Sequence, residues 1–259
     1  MCGIAGFVND MPIDVKCPVL QRMTDMIAHR GPDSEGHYID EHAALGHRRL
    51  SIIDRGGGQQ PIYNEDGSKV ITFNGEIYNY QTLREELIAA GHTFTTKSDT
   101  EVLLHGYEQW GVDLLQRVRG MFTFVIWDKN KQELFGARDH FGIKPFYYAK
   151  MNGTFMYASE IKSLLRHPDF VKELNAEALK PYMTFQYPAI GETFFKGVYK
   201  LPEGHYFTYR DGKMDIHRYY DEDFREGKQK LGELVNSIDQ TVCDSVKAHQ
   251  IADVEVGSF

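Results

Sequence analysis

The chain has 259 residues, of which 42% are hydrophobic and 25% charged, and it carries a formal net charge of −8. This acidic balance argues against nucleic acid and anionic membrane surfaces as partners, and no apolar run reaches the roughly 20 residues of a membrane span. The three scattered cysteines provide no disulfide framework and suit a reducing compartment, so we expect a cytoplasmic protein with no nucleic-acid or membrane partner.

Strand and helix patterns alternate in the first half of the chain. Hydrophobic periodicity predicts strands over 3–8, 36–40, 43–53 and 70–73, and helices over 18–27 and 80–90. Asn74-Gly75 follows the fourth strand, and this dipeptide is typical of a tight turn. Ser98 and Glu101 match a capping box at the start of a helix that runs to Trp110.

Strands dominate the second half up to about residue 219. The patterns predict strands over 121–127, 133–137, 146–149, 154–158, 193–209 and 214–219, and helices over 160–166 and 176–183. A charged linker over 221–230, an amphipathic helix over 231–249 and the start of a strand over 254–259 follow. We therefore expect one domain over 1–219, and over 220–259 a linker, a helix and the truncated start of another domain.

The second residue carries the most distinctive chemistry. A small residue follows Met1, so we expect a methionine aminopeptidase to remove Met1 and leave Cys2 at the N-terminus. A thiol with a pKa of about 8.5 and an α-amine with a pKa of about 7.7–8.0 then share one residue, as nucleophile and base. With Met1 attached, that nitrogen is an amide and the chain is a nearly inactive proenzyme. The alternative is a small buried residue that starts a strand.

A thiolate that attacks an amide requires hydrogen-bond donors for the negative oxygen that forms. The side chain of Asn74 and the backbone N–H of Gly75 supply two such donors on adjacent residues. An ordinary turn is the alternative interpretation of this pair.

Charged residues near these donors suit the head group of an amino acid. Arg binds a carboxylate through two parallel hydrogen bonds, and in an alternating strand only one of Arg48 and Arg49 can face the site. Glu76 and Asp99 are candidates for binding an ammonium group, although Glu76 could be a solvated turn residue and Asp99 could complement a helix dipole. Together these residues describe a site for free glutamine. The 11 His residues form no Cys/His cluster at zinc spacing, so no metal is predicted in this chain.

Seven segments share the pattern of one enzyme family, in order and along nearly the whole chain. They are residues 2–4 (CGI), 29–33 (HRGPD), 49–54 (RLSIID), 74–79 (NGEIYN), 98–101 (SDTE), 119–122 (RGMF) and 138–145 (RDHFGIKP). Their combination resembles the glutaminase domain of glutamine-dependent asparagine synthetases. The wider class is the class II glutamine amidotransferases, which are N-terminal nucleophile hydrolases. The resemblance implies an α+β fold, a four-layer αββα sandwich of two antiparallel sheets.

The resemblance also implies roles for individual residues. Cys2 would attack the side-chain amide of L-glutamine and release ammonia, and water would cleave the resulting glutamyl thioester. Asn74 and Gly75 would form the oxyanion hole, and Arg49 would bind the substrate carboxylate. The ammonium group would be bound by Glu76 and Asp99, and the pocket would be lined by Leu50, Ser51, Ile52 and Ile53. Arg48 would lie outside the site, and Arg30 and Asp33 would shape it from a nearby loop.

The resemblance places further partners outside this chain. In asparagine synthetases, a segment like 256–259 leads into the loop that binds the pyrophosphate of ATP. ATP and Mg²⁺ are therefore expected in a downstream synthetase domain of the same polypeptide, where ammonia serves ATP-dependent asparagine synthesis from aspartate, and no cofactor is expected in this chain. A homodimer is the expected assembly.

Three alternatives stay open at this stage. The ammonia acceptor could be a phosphoribosyl group, a sugar phosphate or a less usual amide precursor. The chain could instead be a non-catalytic module that binds glutamine or serves as a scaffold, in which case Cys2 is dispensable. A cysteine-based thiol exchanger is disfavoured because no second cysteine lies at close spacing.

Overall fold

Two six-stranded antiparallel sheets form the centre of the protein. The computed structural model describes residues 1–54, 56–187, 191–255 and 257. The first sheet contains, in spatial order, β10 (Val198–Lys200), β8 (Tyr147–Met151), β9 (Thr154–Ala158), β1 (Gly3–Val8), β3 (Ala43–Arg49) and β2 (Ser34–Ile39). The second contains β12 (Lys213–Arg218), β11 (His205–Arg210), β7 (Glu133–Arg138), β6 (Gly120–Asp128), β5 (Lys69–Ile77) and β4 (Ile62–Tyr63).

Helices cover the outer faces of both sheets. On the first sheet lie α1 (Ile13–Asp25) and α4 (Ile161–Leu164), and on the second lie α2 (Tyr80–Ala89) and α3 (Asp99–Trp110). Between the sheets, side chains such as Ile4, Trp127 and Phe207 form a shared apolar core. Two further helices are α5 (Leu179–Phe185) and α6 (Leu231–Ala248). The predicted α+β fold, an αββα sandwich of two antiparallel sheets, is confirmed.

The second sheet contains a strand where the sequence favours a turn. β5 continues through Asn74-Gly75 to Ile77 and pairs with β6 over its whole length. An added Cβ on Gly75 would lie 2.2 Å from the Met121 carbonyl oxygen and 2.7 Å from the Phe122 Cα. The glycine is therefore required for close contact between two strands, and the turn interpretation is wrong.

The strand predicted over 43–53 ends at Arg49 and gives way to a loop. The Arg49 guanidinium donates to the carbonyls of Ile53 and Asp54, at 3.1 and 2.6 Å. These hydrogen bonds require the chain to turn back toward Arg49, so it does not continue as an extended strand. This shorter strand places residues 50–54 over the end of the sheet.

Other predicted elements also differ from the structure. α1 begins five residues earlier than predicted and contains Pro18 in its interior. Two separate strands, β10 and β11, lie where the sequence predicts a single strand over 193–209. The short strand β4 has no counterpart among the predicted elements. The strand predicted over 254–259 falls partly outside the described residues, and Val254, Glu255 and Gly257 lie in no strand. Among the helices that the structure describes, none is long and apolar enough to cross a membrane.

Candidate active site

Cys2 lies just before β1, where the end of β3 passes beside it. Gly3 pairs with Arg48, and the loop that follows β3 holds the thiol: the Leu50 N–H donates to Cys2 Sγ at 3.4 Å, and Sγ lies 3.5 Å from the Leu50 carbonyl. Arg30 Nε donates to the Cys2 carbonyl at 2.9 Å. Burial raises the pKa of the thiol, while the Leu50 N–H and the positive charge of Arg49 act in the opposite direction. The buried thiol therefore requires a base to become a thiolate.

Met1 forms part of the pocket that contains the Cys2 thiol. Its side chain lies in the pocket lining, and Lys144 Nζ lies 3.2 Å from its sulfur. Burial lowers the pKa of the Met1 α-amine below its usual value. While Met1 is attached, the nitrogen of Cys2 is an amide, and its lone pair is delocalised into the carbonyl and cannot take the thiol proton.

The pocket beside Cys2 brings together most of the residues that the sequence singles out. Its lining includes Cys2, Arg49, Leu50, Ile52, Ile53, Asn74, Gly75, Glu76 and Asp99.

Asn74 and Gly75 present two hydrogen-bond donors to this pocket. Asn74 is buried, and its Nδ2 has no hydrogen-bond partner among the described residues. Along β5, the N–H groups of Phe73 and Ile77 donate to the side chains of Gln60 (2.6 Å) and Asp99 (3.0 Å). Because alternate residues of a strand point their N–H groups to the same edge, the Gly75 N–H lies between these two, on the pocket side. An unpartnered buried amide costs about 1–3 kcal/mol, which a ligand oxygen would recover.

Arg49 supplies a buried positive charge to the lining of the same pocket. Its side chain is 5% exposed and donates only to backbone carbonyls, and within the described part of the chain it forms no ion pair. Arg48, its neighbour, points to the other face of β3 and pairs with Asp25 and Glu35. The strand alternation thus separates the two arginines as expected, and the guanidinium of Arg49 is left for an anionic ligand.

The carboxylates of Glu76 and Asp99 line the same pocket without an ion-pair partner in the described chain. Asp99 Oδ2 accepts from the Ile77 N–H at 3.0 Å, and no Lys, Arg or His of the described chain lies within ion-pair distance of Glu76 or Asp99. Burial raises the pKa of Asp99 to about 7, the nearby charge of Glu76 adds to this, and the Ile77 N–H opposes it. Burial also raises the pKa of Glu76, although the charge of Lys144 lowers it. Such a pair is suited to an ammonium ligand.

The residues predicted to surround the site have different positions. Leu50, Ile52 and Ile53 line the pocket, whereas Ser51 does not: its N–H donates at 2.8 Å to Asp33, which thereby holds the loop from outside. Arg30 connects the Cys2 carbonyl to Glu160, at 2.9 and 3.1 Å.

Several lining residues were not predicted. The most distinctive is Lys144, which is 4% exposed and lies beside Glu76 and Met1; burial lowers the pKa of its amine. Its position depends on Arg138, which donates to the Lys144 carbonyl at 2.8 Å, and on Asp139, which accepts from the Lys144 N–H at 3.0 Å. The other unpredicted residues of the lining are Gly58, Gln60, Phe73, Ser98 and Thr100.

These contacts come from distant segments, so sequence spacing gives no direct signal for them. Lys144 does lie in segment 138–145, one of the seven segments that carry the family resemblance, but the resemblance implies no role for this lysine.

Comparison with known proteins identifies the class. The glutamine amidotransferase domain family matches residues 1–220, and the chain belongs to this family. Its backbone is similar to a glutamine phosphoribosylpyrophosphate amidotransferase from B. subtilis complexed with ADP and GMP, with a TM-score of 0.64 at 18% identity over 85% of this chain and 50% of that one. At this identity the likeness shows a shared fold.

Among curated relatives, an asparagine synthetase (glutamine-hydrolysing) of Bacillus subtilis is 45% identical over all of this chain and 42% of its own length. A second relative, the amidase chry2 of Gibberella zeae, is 34% identical over all of this chain and 40% of its own length. The chain spans about two fifths of the length of these relatives.

Proposed function

We propose that this domain hydrolyses L-glutamine to L-glutamate and ammonia with Cys2 as the nucleophile. The observation that supports this best is the composition of one pocket, which contains a thiol, the Asn74 amide, the Arg49 guanidinium and two carboxylates. Among the described residues, the amide Nδ2 has no hydrogen-bond partner and the charged groups form no ion pair. Each of these groups lacks the partner that one part of a glutamine molecule would supply.

The proposed reaction proceeds in two steps. The α-amine of Cys2, free once Met1 is removed, takes the thiol proton, and the thiolate attacks the amide carbon of glutamine. The negative oxygen accepts hydrogen bonds from Asn74 Nδ2 and the Gly75 N–H. The carbon–nitrogen bond breaks, the amine returns its proton to the departing nitrogen, and ammonia leaves. Water then attacks the thioester, and glutamate and the free thiol are regenerated.

The substrate's head group is bound at the far side of the pocket in this proposal. Arg49 binds the α-carboxylate through the nitrogen atoms not occupied by Ile53 and Asp54. Glu76 and Asp99 bind the α-ammonium. Leu50, Ile52 and Ile53 enclose the substrate stem, and Ser51, Arg30 and Asp33 support the loop.

For the longer protein, we propose that the ammonia serves ATP-dependent asparagine synthesis from aspartate. The similarity to the B. subtilis synthetase supports this acceptor, and the similarity to the fungal amidase keeps another acceptor as the second candidate.

We further propose residues 1–219 as the amidotransferase domain and 220–259 as the connection to the synthetase domain. The family match ends at 220, and the apolar side chains of α6 are exposed. ATP and Mg²⁺ in that domain, a homodimer and a cytoplasmic location stay expectations.

Trapping the intermediate tests the proposed chemistry. Protein whose N-terminus is shown to be Cys2 is mixed with glutamine, quenched in acid within one turnover and digested for mass spectrometry. We expect the mass of one glutamyl group on the peptide that begins at Cys2. A glutamyl group on another residue, or rapid turnover with no labelled peptide at any quench time, would contradict the proposal.

A further inference from the structure

A second group of functional side chains lies outside the lining of the glutamine pocket. It consists of Glu65 after β4, His92 after α2, and His105 and Glu108 one turn apart on α3; we call it the His-Glu cluster. One potential ligand atom from each side chain lies within 4.8 Å of all the others. Three separate segments of the chain therefore converge at one point.

Three distances inside the His-Glu cluster are close to those between the ligands of a tetrahedral ion. His105 Nδ1 lies 3.1 Å from Glu108 Oε2 and 3.4 Å from Glu65 Oε2, and His92 Nδ1 lies 3.4 Å from Glu65 Oε1. A zinc ion with bonds of about 2.0–2.1 Å holds its ligand atoms about 3.3 Å apart. These three nitrogen–oxygen distances, two of which involve different oxygens of Glu65, are close to the separation that such an ion imposes, and one ligand atom from each of the four side chains lies within 4.8 Å of the others.

The carboxylate of Glu101 lies near the second ring nitrogen of His105. His105 is 1% exposed, and its Nε2, which has no hydrogen-bond partner in the described chain, lies 3.6 Å from Glu101 Oε1. Glu101 is itself fixed, since the N–H and hydroxyl groups of Thr95 and Thr96 all donate to it at 2.7–3.0 Å. A carboxylate that faces the second nitrogen of a histidine is the usual support for a histidine metal ligand.

The other three side chains are also held from outside. Asn64 donates to Glu108 Oε1 at 2.7 Å, and Lys69 Nζ lies 3.6 Å from the same oxygen, which leaves Oε2 for the cluster. The Thr93 N–H donates to Glu65 Oε1 at 3.1 Å, and His92 Nε2 lies 3.2 Å from Gln109 Oε1. Each ligand therefore has a partner that orients it.

We propose that the His-Glu cluster is a structural site for a divalent transition metal such as Zn²⁺, bound by Glu65, His92, His105 and Glu108. Two imidazoles and two carboxylates are ligands that zinc accepts, and four protein ligands indicate a structural rather than a catalytic site. The bound ion connects the loop after β4, the segment after α2 and helix α3. Asp99 of the glutamine pocket is the first residue of α3, so the ion also steadies that helix.

This site departs from the expectation of no metal in the chain. The sequence separations of 27, 13 and 3 residues match no compact zinc motif, and only His105 and Glu108 show a helical ligand spacing. The fold brings the other two ligands to that helix.

Metal titration tests the site. Full-length protein is stripped with a chelator, its thiols are alkylated so that Cys2, Cys17 and Cys243 cannot bind metal, and Zn²⁺ is titrated by calorimetry. The variants are His92→Gln and Glu65→Gln, and the control is His42→Gln, which changes a histidine outside the cluster whose ring lies 3.5 Å from Asp10. Each titration is paired with a melting curve with and without Zn²⁺, because an ion that binds the folded state raises Tm.

We expect one zinc ion per chain, a higher Tm with Zn²⁺ for the wild type and the His42 control, and affinity at least about 100-fold lower in both cluster variants. A cobalt-substituted protein should show tetrahedral visible absorption that His92→Gln removes. No zinc binding by folded wild type, or binding that both cluster variants retain, would overturn the proposal. The first result would leave the cluster as a network of polar contacts around His105.

Discussion

At the scale of single residues, the amide of Asn74 has the most specific expected effect. Its buried Nδ2 has no partner among the described residues, so in our account it is reserved for the oxyanion. We expect Asn74→Ala to lower kcat about 10²–10³-fold with little change in KM, because the donor acts mainly in the transition state. Steady-state ammonia release measures both constants. The control is Asn130→Ala, at an exposed loop position. A rise in KM with unchanged kcat would contradict the oxyanion role.

The carboxyl group of Asp99 gives the site an expected pH dependence. Burial, with the nearby charge of Glu76, raises its pKa to about 7, so the empty pocket holds a proton below that pH. An ammonium ligand requires the ionised form. We therefore expect KM for glutamine to rise by about tenfold per pH unit below pH 7, and to be constant just above it.

Calorimetry in buffers of different ionisation enthalpy provides an independent check on the Asp99 prediction. Below pH 7, glutamine binding should release about one proton. Asp99→Asn should bind glutamine weakly, and its affinity should lose most of this pH dependence. A KM that stays constant between about pH 5.5 and pH 7 in the wild type would contradict the assigned ammonium site.

At the scale of secondary-structure elements, the contact between β5 and β6 depends on Gly75. An added Cβ would lie 2.2 Å from the Met121 carbonyl oxygen, and this oxygen belongs to a paired backbone. We expect Gly75→Ala to lower the free energy of unfolding by about 1–3 kcal/mol and to reduce glutaminase activity, because the strand must move away from β6. Gly56→Ala, where a Cβ meets nothing within 4 Å, is the control. Denaturant unfolding that shows equal stability for both variants would refute this requirement.

The segment after α6 braces the loop that follows β3. Asp253 accepts from the Asp54 N–H at 2.7 Å, and its own N–H donates to the Ile52 carbonyl at 3.0 Å. These contacts adjoin the two carbonyls that hold Arg49. We expect Asp253→Ala to raise KM about fivefold with little change in kcat, since about 1 kcal/mol of hydrogen bonding is lost. Asp239→Ala, on the exposed surface of α6, is the control. An unchanged KM in Asp253→Ala would show that Asp253 does not stabilise the loop after β3 for substrate binding.

At the scale of the whole molecule, the sequence correctly predicts features that depend on the spacing of residues within one strand or helix. Strand alternation separates Arg49 from Arg48, and the capping residue Ser98 marks the start of α3, where its side chain accepts from the Thr100 N–H. The αββα arrangement required more than periodicity, because strand order and sheet packing depend on distant contacts. The resemblance of seven motifs supplied it.

Features set by distant contacts were missed. Gly75 sits in a continuous strand because β6 passes very close to it, although its dipeptide favours a turn. Lys144 enters the pocket because Arg138 and Asp139 hold its loop. The His-Glu cluster assembles from three segments with no motif spacing. In each case the position depends on a residue far away in the sequence. Local sequence patterns do not show which distant residues come into contact.

The role of Cys2 is the central claim, and ammonia release tests it most directly. Wild-type protein and Cys2→Ala, each with residue 2 verified as the N-terminus, are assayed for ammonia and glutamate from glutamine, and glutamine binding is measured by calorimetry. We predict that the wild type releases both products in equal amounts, and that Cys2→Ala releases neither while it still binds glutamine. Glutaminase activity that survives in Cys2→Ala, or folded wild type that binds glutamine without hydrolysing it, would contradict the account.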